Sequence, residues 1–443
     1  MHITHLQILN VKLLRNFELA FGSPEEPRLW TVLIGQNGLC KTTILRSIAM
    51  AAVGYLRANQ LADVPSLLDR RSDADLRFSA ILGFSPSDHA RREYPGLEWA
   101  HGDPTPPAIT SGLSLVRGGS SIQGASAFVA ANKDNQPTAQ LSDPSTPSPV
   151  DVAADRNLPH WFVAGYGTSR ILPDPLESRT PHVPSRDRLN SLFDKGPILG
   201  TGFVNILDHP EAFAETLNQA LVEGGLLPDA IGMTLETRSG GNGASVNDRH
   251  RLSMQAGHGR FEVPTTWLSQ GYQSTIAWIA DIIGWFFFER KEPVALDAME
   301  GLVLIDEIDL HLHPQWQVEL VPALKKVFPR LQFIVTTHSP MVLPGLRQEE
   351  VKILRQDDEG NVYAEDAPDT PALMTGSQIY QDFFGIDRLY PAQLGADLQR
   401  YGFLVGMAHR TDEEEGEVYA LRDRLREAGV DPGWEITPRE IEA

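Results

Sequence analysis

A chain with one cysteine, Cys40, can close no disulfide within itself, and the natural setting for such a chain is a reducing compartment. Positive charge is also in short supply. There are 38 Lys and Arg against 58 Asp and Glu, a formal net charge of −20, which excludes a wholly basic nucleic-acid coat but leaves room for a local basic groove. Long apolar runs are missing. The most apolar window, Trp278–Phe288, is interrupted by Asp281 and is too short for a bilayer, and the N-terminal stretch has neither a continuous apolar core nor a small-residue cleavage pattern. Sustained heptads are missing too, so residues 186–227 read as short helices and cannot form a long coiled coil. A soluble cytoplasmic protein with no membrane partner is the expectation. Its 443 residues exceed one small core and suit a domain with insertions or two lobes.

What is present centres on Leu302–His313, LVLIDEIDLHLH. An apolar, β-rich run ends in adjacent carboxylates, Asp306 and Glu307, where a buried parallel strand would deliver them to its C-terminal edge. Upstream, Gly35-Gln-Asn-Gly-Leu-Cys-Lys41-Thr42 has the pattern of a phosphate loop between a strand and a helix. Gly35 and Gly38 allow its tight path, Lys41 supplies charge to the β and γ oxygens, and the Thr42 hydroxyl is placed for Mg²⁺. Asp306 is assigned to the same Mg²⁺ through a water, and Glu307 to orienting and deprotonating an attacking water. The alternative for the carboxylates, an acidic strand end bonded to a neighbouring helix, does not explain the phosphate loop. Together the motifs predict an ATPase.

Cys40 stands where such loops ordinarily have their last glycine, so a Cβ there could strain the loop. A thiol at a helix N-terminus beside Lys41 could have a lowered pKa and act as a redox switch; the plainer reading is a small side chain pointing away from the nucleotide. Leu268-Ser269-Gln-Gly271 precedes a helix with Ile276, Ile279, Ala280 and Ile283 on one face, and its serine and glycine suit a γ-phosphate, although serine at a helix start is more often a cap. His338, in Thr-Thr-His-Ser-Pro, ends a strand expected beside the catalytic strand and is read as a γ-phosphate sensor. His311 and His313 lack a spaced set of further ligands, so no zinc-like site is expected there.

Strands are predicted at Ile3–Val11, Phe17–Phe21 and Arg28–Ile34, followed by an amphipathic helix through Ile44, Leu45, Ile48, Ala49, Ala52 and Val53. The expected organisation is an N-terminal ATPase part (1–84), a Gly/Ser/Pro-rich, partly mobile insertion (85–158), a return strand (159–175), a helical and loop insertion (176–262), the signature, catalytic and histidine part (263–345), and a C-terminal extension (346–443). That extension should hold a hairpin around Asp357–Gly360 and a helix opened by Thr411 with Glu414, carrying Val418, Leu421 and Leu425 on one face.

Phosphate loop, Leu-Ser-x-Gly signature, Asp-Glu strand and histidine, in this order, resemble the ABC-type ATPase head of the RecF/SMC/OLD branch over residues 1–84 and about 159–345. LVLIDEIDLHLHPQWQ and FIVTTHSP look especially like the bacterial predicted ATP-binding proteins of that branch, including the ATPases of Septu and retron-associated anti-phage defence. The resemblance implies an α/β P-loop NTPase: a head with a mixed sheet, a helical lobe and a small C-terminal α+β extension. It implies ATP and Mg²⁺ as cofactors, with Gly35, Asn37, Gly38, Cys40, Lys41, Thr42 and Thr43 around the nucleotide, Thr42 and Asp306 at the metal, and Glu307 and His338 catalytic. ATP would be sandwiched between two copies, with Ser269 and Gly271 supplied by the second, in a homodimer or higher oligomer. Nucleic acid and a separate HNH-type nuclease are the implied partners, since the tail shows no Asp-x-Asp pair of a fused OLD-type nuclease. The competing readings are the ATP-binding subunit of an ABC transporter, disfavoured by the Leu-Ser-Gln-Gly sequence and the position of the signature, and a non-hydrolysing structural protein, which only Cys40 supports.

Overall fold

The computed structural model describes residues 1–23, 26–69, 71, 74–83, 108–116, 119–131, 137–139, 148–156, 161–172, 183–195, 208–234, 251–256, 259–385, 392–407 and 409–430. The chain divides into Met1–Met374 and Thr375–Ala443.

In the first unit, alternation of apolar and polar residues produces β1 (His2–Val11) and β2 (Leu14–Ala20), with Ile3, Leu6, Ile8, Phe17 and Leu19 turned inward. β1 lies between β2 and β4 (Leu76–Gly83), antiparallel to both, and Ile8 sits opposite Phe17 on one side and Phe78 on the other. Such cross-strand apolar rows fix the register, because a slip of one residue would turn the whole set to solvent. β5 (Ala108–Leu115), β6 (Gln123–Ala131) and β7 (Pro137–Ala139) extend this sheet in the order β2-β1-β4-β5-β6-β7.

Residues 85–158 are therefore not simply a loop-rich insertion. Ile109, Ser111, Leu113 and Leu115 alternate on the buried face of β5, a period of two that Ser, Thr and Gly disguise in the sequence. Residues 85–107, 117–118, 132–136, 140–147 and 157–158 of that stretch lie outside the described residues.

The second sheet positions the site. β3 (Trp30–Ile34), β8 (Val163–Tyr166), β12 (Gly301–Ile305), β13 (Leu331–Thr336), β14 (Val351–Gln356) and β15 (Val362–Asp366) assemble in the order β15-β14-β3-β13-β12-β8, parallel throughout except for β15. Near-continuous apolar runs such as Leu302–Ile305 and Phe333–Val335 are the signature of strands covered on both faces. The hairpin expected at 351–364 is present, but β14 is an integral strand beside β3, so the head continues past residue 345.

Helix α1 (Lys41–Leu61) packs against strands of both sheets, and a single apolar core runs from one to the other. It is broken at Gly54 (φ 78°), where Asp151 of α2 (Pro149–Arg156) accepts a hydrogen bond from the Leu56 N–H at 3.2 Å. Buried Gln332 on β13 locks the sheets together, accepting from the Ile3 N–H at 2.7 Å and donating to the Ile3 carbonyl at 2.9 Å. Unmet, those backbone groups would each cost about 1–3 kcal/mol.

Between β8 and β12 lie α3 (Pro184–Asp187), α4 (Pro210–Asn218) and a small antiparallel sheet of β9 (Ala230–Thr234), β10 (Arg251–Ala256) and β11 (Gly259–Pro264), ordered β11-β10-β9. α5 (Gln270–Arg290) follows. It is buried on all sides from Ser274 to Phe287, wider than the single apolar face in its sequence suggests, and its buried Asp281 accepts from the Tyr166 hydroxyl at 2.9 Å. No helix among the described residues is long and apolar enough to cross a membrane. α6 (Pro314–Val327) leads into β13.

The second unit holds α7 (Gly376–Phe384), α8 (Ala392–Val405) and α9 (Asp412–Glu427). α9 begins as its sequence predicts: Thr411 and Glu414 form a capping box, and Val418, Leu421 and Leu425 pack with Tyr401 and Leu404.

Candidate functional site

Three neighbouring parallel strands end on the same edge of the second sheet. β3 delivers the phosphate loop, β12 delivers Asp306 and Glu307, and β13, between them, delivers Thr337 and His338. Loops and helix N-termini gathered at the carboxyl edge of such a sheet form the usual binding crevice of open α/β folds.

The loop from Gly35 to Cys40 turns through left-handed backbone at Gly38 (φ 87°) and Cys40 (φ 60°). Gln36, Asn37 and Gly38 are exposed, and the N-terminus of α1 opens behind them. Lys41 curls back to donate to the carbonyls of Gly35 at 2.7 Å and Gln36 at 2.9 Å. Burial lowers the pKa of its amine, and the charges of Asp306 and Glu307 act in the opposite sense. The Thr43 hydroxyl accepts from Lys12 Nζ at 3.2 Å.

Cys40 does adopt the conformation that favours glycine, so the expected strain is located at this residue. The lowered thiol pKa is not found. Burial pushes the thiol up, against smaller opposing effects of the Leu13 backbone and of Lys12.

Thr42 and Asp306 meet directly: the hydroxyl of Thr42 donates to Oδ2 at 2.6 Å. Oδ1 accepts from the Thr336 hydroxyl at 2.7 Å, and that same Thr336 oxygen accepts the Glu307 N–H at 2.8 Å. Glu307 itself is left-handed (φ 49°). Beneath the pair lies Arg170, 4% exposed, whose guanidinium donates to the carbonyls of Asp306 at 2.6 Å, Glu307 at 2.7 Å and Gly167 at 3.2 Å, and to Ser274 Oγ at 3.2 Å. Desolvation brings the Arg170 pKa down to about 10, so it stays charged at neutral pH.

His338 is exposed and faces the same charges. Partial burial and Lys41 hold its imidazole below the ordinary 6.5, with Glu307, Asp309 and Asp306 pulling the other way. Behind it Thr337 donates to Asp309, while Ser339 donates to Gln317 and Gln317 to the Leu312 carbonyl at 2.8 Å. His311 is left-handed (φ 67°), and His313 caps α6 by accepting the Gln315 N–H at 3.4 Å. Among the described residues no three His, Cys, Asp or Glu side chains form a metal-binding group.

Ser269 is the N-cap of α5, yet its hydroxyl makes no capping hydrogen bond. Gly271 is required for a different reason than flexibility: a Cβ there would come within 2.5 Å of the His311 carbonyl oxygen, so the start of α5 lies against the loop after Glu307.

Residues 173–343 match the protein-family model described as "AAA domain, putative AbiEii toxin, Type IV TA system". Over 425 residues, 96% of this chain and 50% of the relative, the sequence is 24% identical to Septu protein PtuA of Bacillus mycoides. It is 38% identical over 125 residues to the "Retron Vc95 probable ATPase" of Vibrio cholerae, covering 25% of this chain and 23% of that one. The chain is thus similar in sequence to Septu and retron ATPases. It spans about half the length of that PtuA and less than a quarter of the Vc95 protein. Its fold has a likeness to the SMC head domain from Thermotoga maritima, at 14% identity and a TM-score of 0.43 over 83% of this chain and 99% of that one.

The matched family segment holds Ser269, Gly271, Asp306, Glu307 and His338, while the phosphate loop and Arg170 precede it. From sequence, Arg170 is placed only within the return strand of residues 159–175 and not in the site. A buried guanidinium that bonds to carbonyls has no periodic signal; the only hint was an arginine just after an apolar strand.

Proposed function

We propose that this protein binds and hydrolyses ATP, and that ATP-dependent engagement of two copies controls a process related to nucleic acid, in phage defence or DNA repair, with cutting carried out by a separate nuclease. The observation that carries the proposal is the contact of Thr42 with Asp306 at 2.6 Å, which joins the start of α1 to the end of β12, where Glu307 follows Asp306 in the chain. The sequence similarity to the Septu and retron ATPases supports the biological setting.

A hydroxyl and a carboxylate side by side are hard oxygen donors of the kind Mg²⁺ takes, so Thr42 and Asp306 fit that ion. Bound there, Mg²⁺ would supply positive charge to the β and γ oxygens of ATP. The α1 N-terminus and the loop N–H groups bind the phosphates, and Lys41 leaves the Gly35 and Gln36 carbonyls to meet them. Glu307 takes the proton of the attacking water, and His338, uncharged at neutral pH, senses the γ-phosphate. Ser269, its hydroxyl free of capping duty, is available to a γ-phosphate held by a second copy.

Phosphate release from Mg-ATP tests this reading. Wild type should turn over, while Glu307→Gln and Lys41→Ala should each lose about 100-fold or more in rate. Equal rates in all three proteins would refute it.

A further inference from the structure

Glu307 holds a left-handed backbone conformation (φ 49°) that is strained for a non-glycine residue, so its surroundings must impose it. They do so at both ends of the residue. Thr336 Oγ1 accepts its N–H, and Arg170 Nη2 donates to its carbonyl at 2.7 Å. Arg170 Nη1 grips the preceding carbonyl, that of Asp306, at 2.6 Å, so one rigid guanidinium spans the backbone of both carboxylates. The acceptors in direct contact are three carbonyls and one hydroxyl, with no carboxylate among them. That hydroxyl, Ser274 Oγ, belongs to α5, the helix that begins at Ser269 and Gly271. The same helix touches the loop after Glu307 a second time, where Gly271 lies against the His311 carbonyl.

We infer that Arg170 is a positioning residue: it holds Glu307 in its working orientation through the backbone and ties that orientation to the helix that carries Ser269 and Gly271. This rests on the ATPase reading given above. Without the guanidinium the Glu307 carbonyl is released, the peptide can relax toward an ordinary φ, and the carboxylate swings away from its water. The phosphate loop, Lys41 and Thr42 are untouched, so nucleotide binding stays.

The test compares wild type, Arg170→Met and Arg170→Lys for kcat and KM with Mg-ATP, affinity for a fluorescent ATP analogue, and thermal melting. A displacement of about 1 Å at a reacting group costs on the order of 100-fold, so kcat should fall about 10- to 100-fold in Arg170→Met with analogue affinity within about 2-fold of wild type. Arg170→Lys keeps the charge but loses the fork, and its kcat should lie between the two. Wild-type kcat in the folded methionine variant would overturn the inference, as would a kcat that falls only in step with analogue affinity. Should the methionine variant not fold, the lysine variant decides: reduced kcat at unchanged affinity supports the inference and wild-type kcat overturns it. A wild type with no turnover would overturn the ATPase reading and this inference with it, whereas turnover equal in all three would overturn this inference alone.

Discussion

Thr336 donates to Asp306 at 2.7 Å and, with the same oxygen, accepts the N–H of Glu307 at 2.8 Å, so one fully buried hydroxyl on the middle strand holds the Asp306 carboxylate and the Glu307 backbone just past the end of the neighbouring strand. This is possible because β12 and β13 are parallel and in register, Ile305 beside Val335, which brings Thr336 level with the Asp306–Glu307 peptide. Replacing the hydroxyl by a methyl of the same shape leaves a buried carboxylate oxygen and a backbone N–H without this partner. Thr336→Val should therefore lose about 1–3 kcal/mol of stability in urea denaturation, whereas Thr336→Ser should retain most of it. Equal stability of the valine and serine variants would show that the hydroxyl is not used.

Cys40 should be a position where glycine is more comfortable than the native residue. Its left-handed backbone costs about 1–2 kcal/mol in an L-residue, partly offset in Cys40→Gly by the roughly 0.5–1 kcal/mol of extra chain entropy that glycine brings to the unfolded state. Cys40→Gly should denature at the same or higher urea concentration than wild type, and Cys40→Val, with a branched Cβ, at a clearly lower one. A valine variant as stable as wild type would contradict the assigned conformation. Because burial pushes the thiol up, alkylation at pH 7.5 should also be slower than that of a free cysteine.

His338 should titrate below 6.5 in the nucleotide-free protein, and in Lys41→Met its pKa should rise, since the lysine charge is one of the two causes that depress it. Two-dimensional NMR of the histidine ring protons measures both values. The sign for stability follows: the folded state binds the proton more weakly than the unfolded state, so this contribution is present above pH 6.5 and is lost as pH falls through the folded value. A pKa unchanged by loss of Lys41 would place the imidazole away from the phosphate loop.

The parts of this fold that announce themselves in the sequence are those whose cause is local. Ile3 to Val11 alternate, Leu302 to Ile305 form an unbroken apolar strand before two carboxylates, and Thr411 with Glu414 spells a helix cap; each reappears as a strand or a capped helix. β5 was hidden because its inward positions include Ser111 beside Ile109 and Leu113, and a serine that is buried reads in sequence like a loop residue. The environment of Cys40 could not be read from its neighbours in the chain either, because Lys12 and Leu13, which act on its thiol, come from the β1–β2 turn. Arg170 was missed for the same reason at longer range: its partners Ser274, Asp306 and Glu307 lie more than a hundred positions away in the chain.

The most direct test of ATP-dependent engagement between two copies is the light-scattering mass of Glu307→Gln with and without Mg-ATP, beside Lys41→Ala. Slowed hydrolysis should trap the engaged state, so the glutamine variant should double in mass on adding ATP while the alanine variant, unable to hold the phosphates, stays at its nucleotide-free mass. A glutamine variant that binds ATP and keeps the same mass would contradict the account.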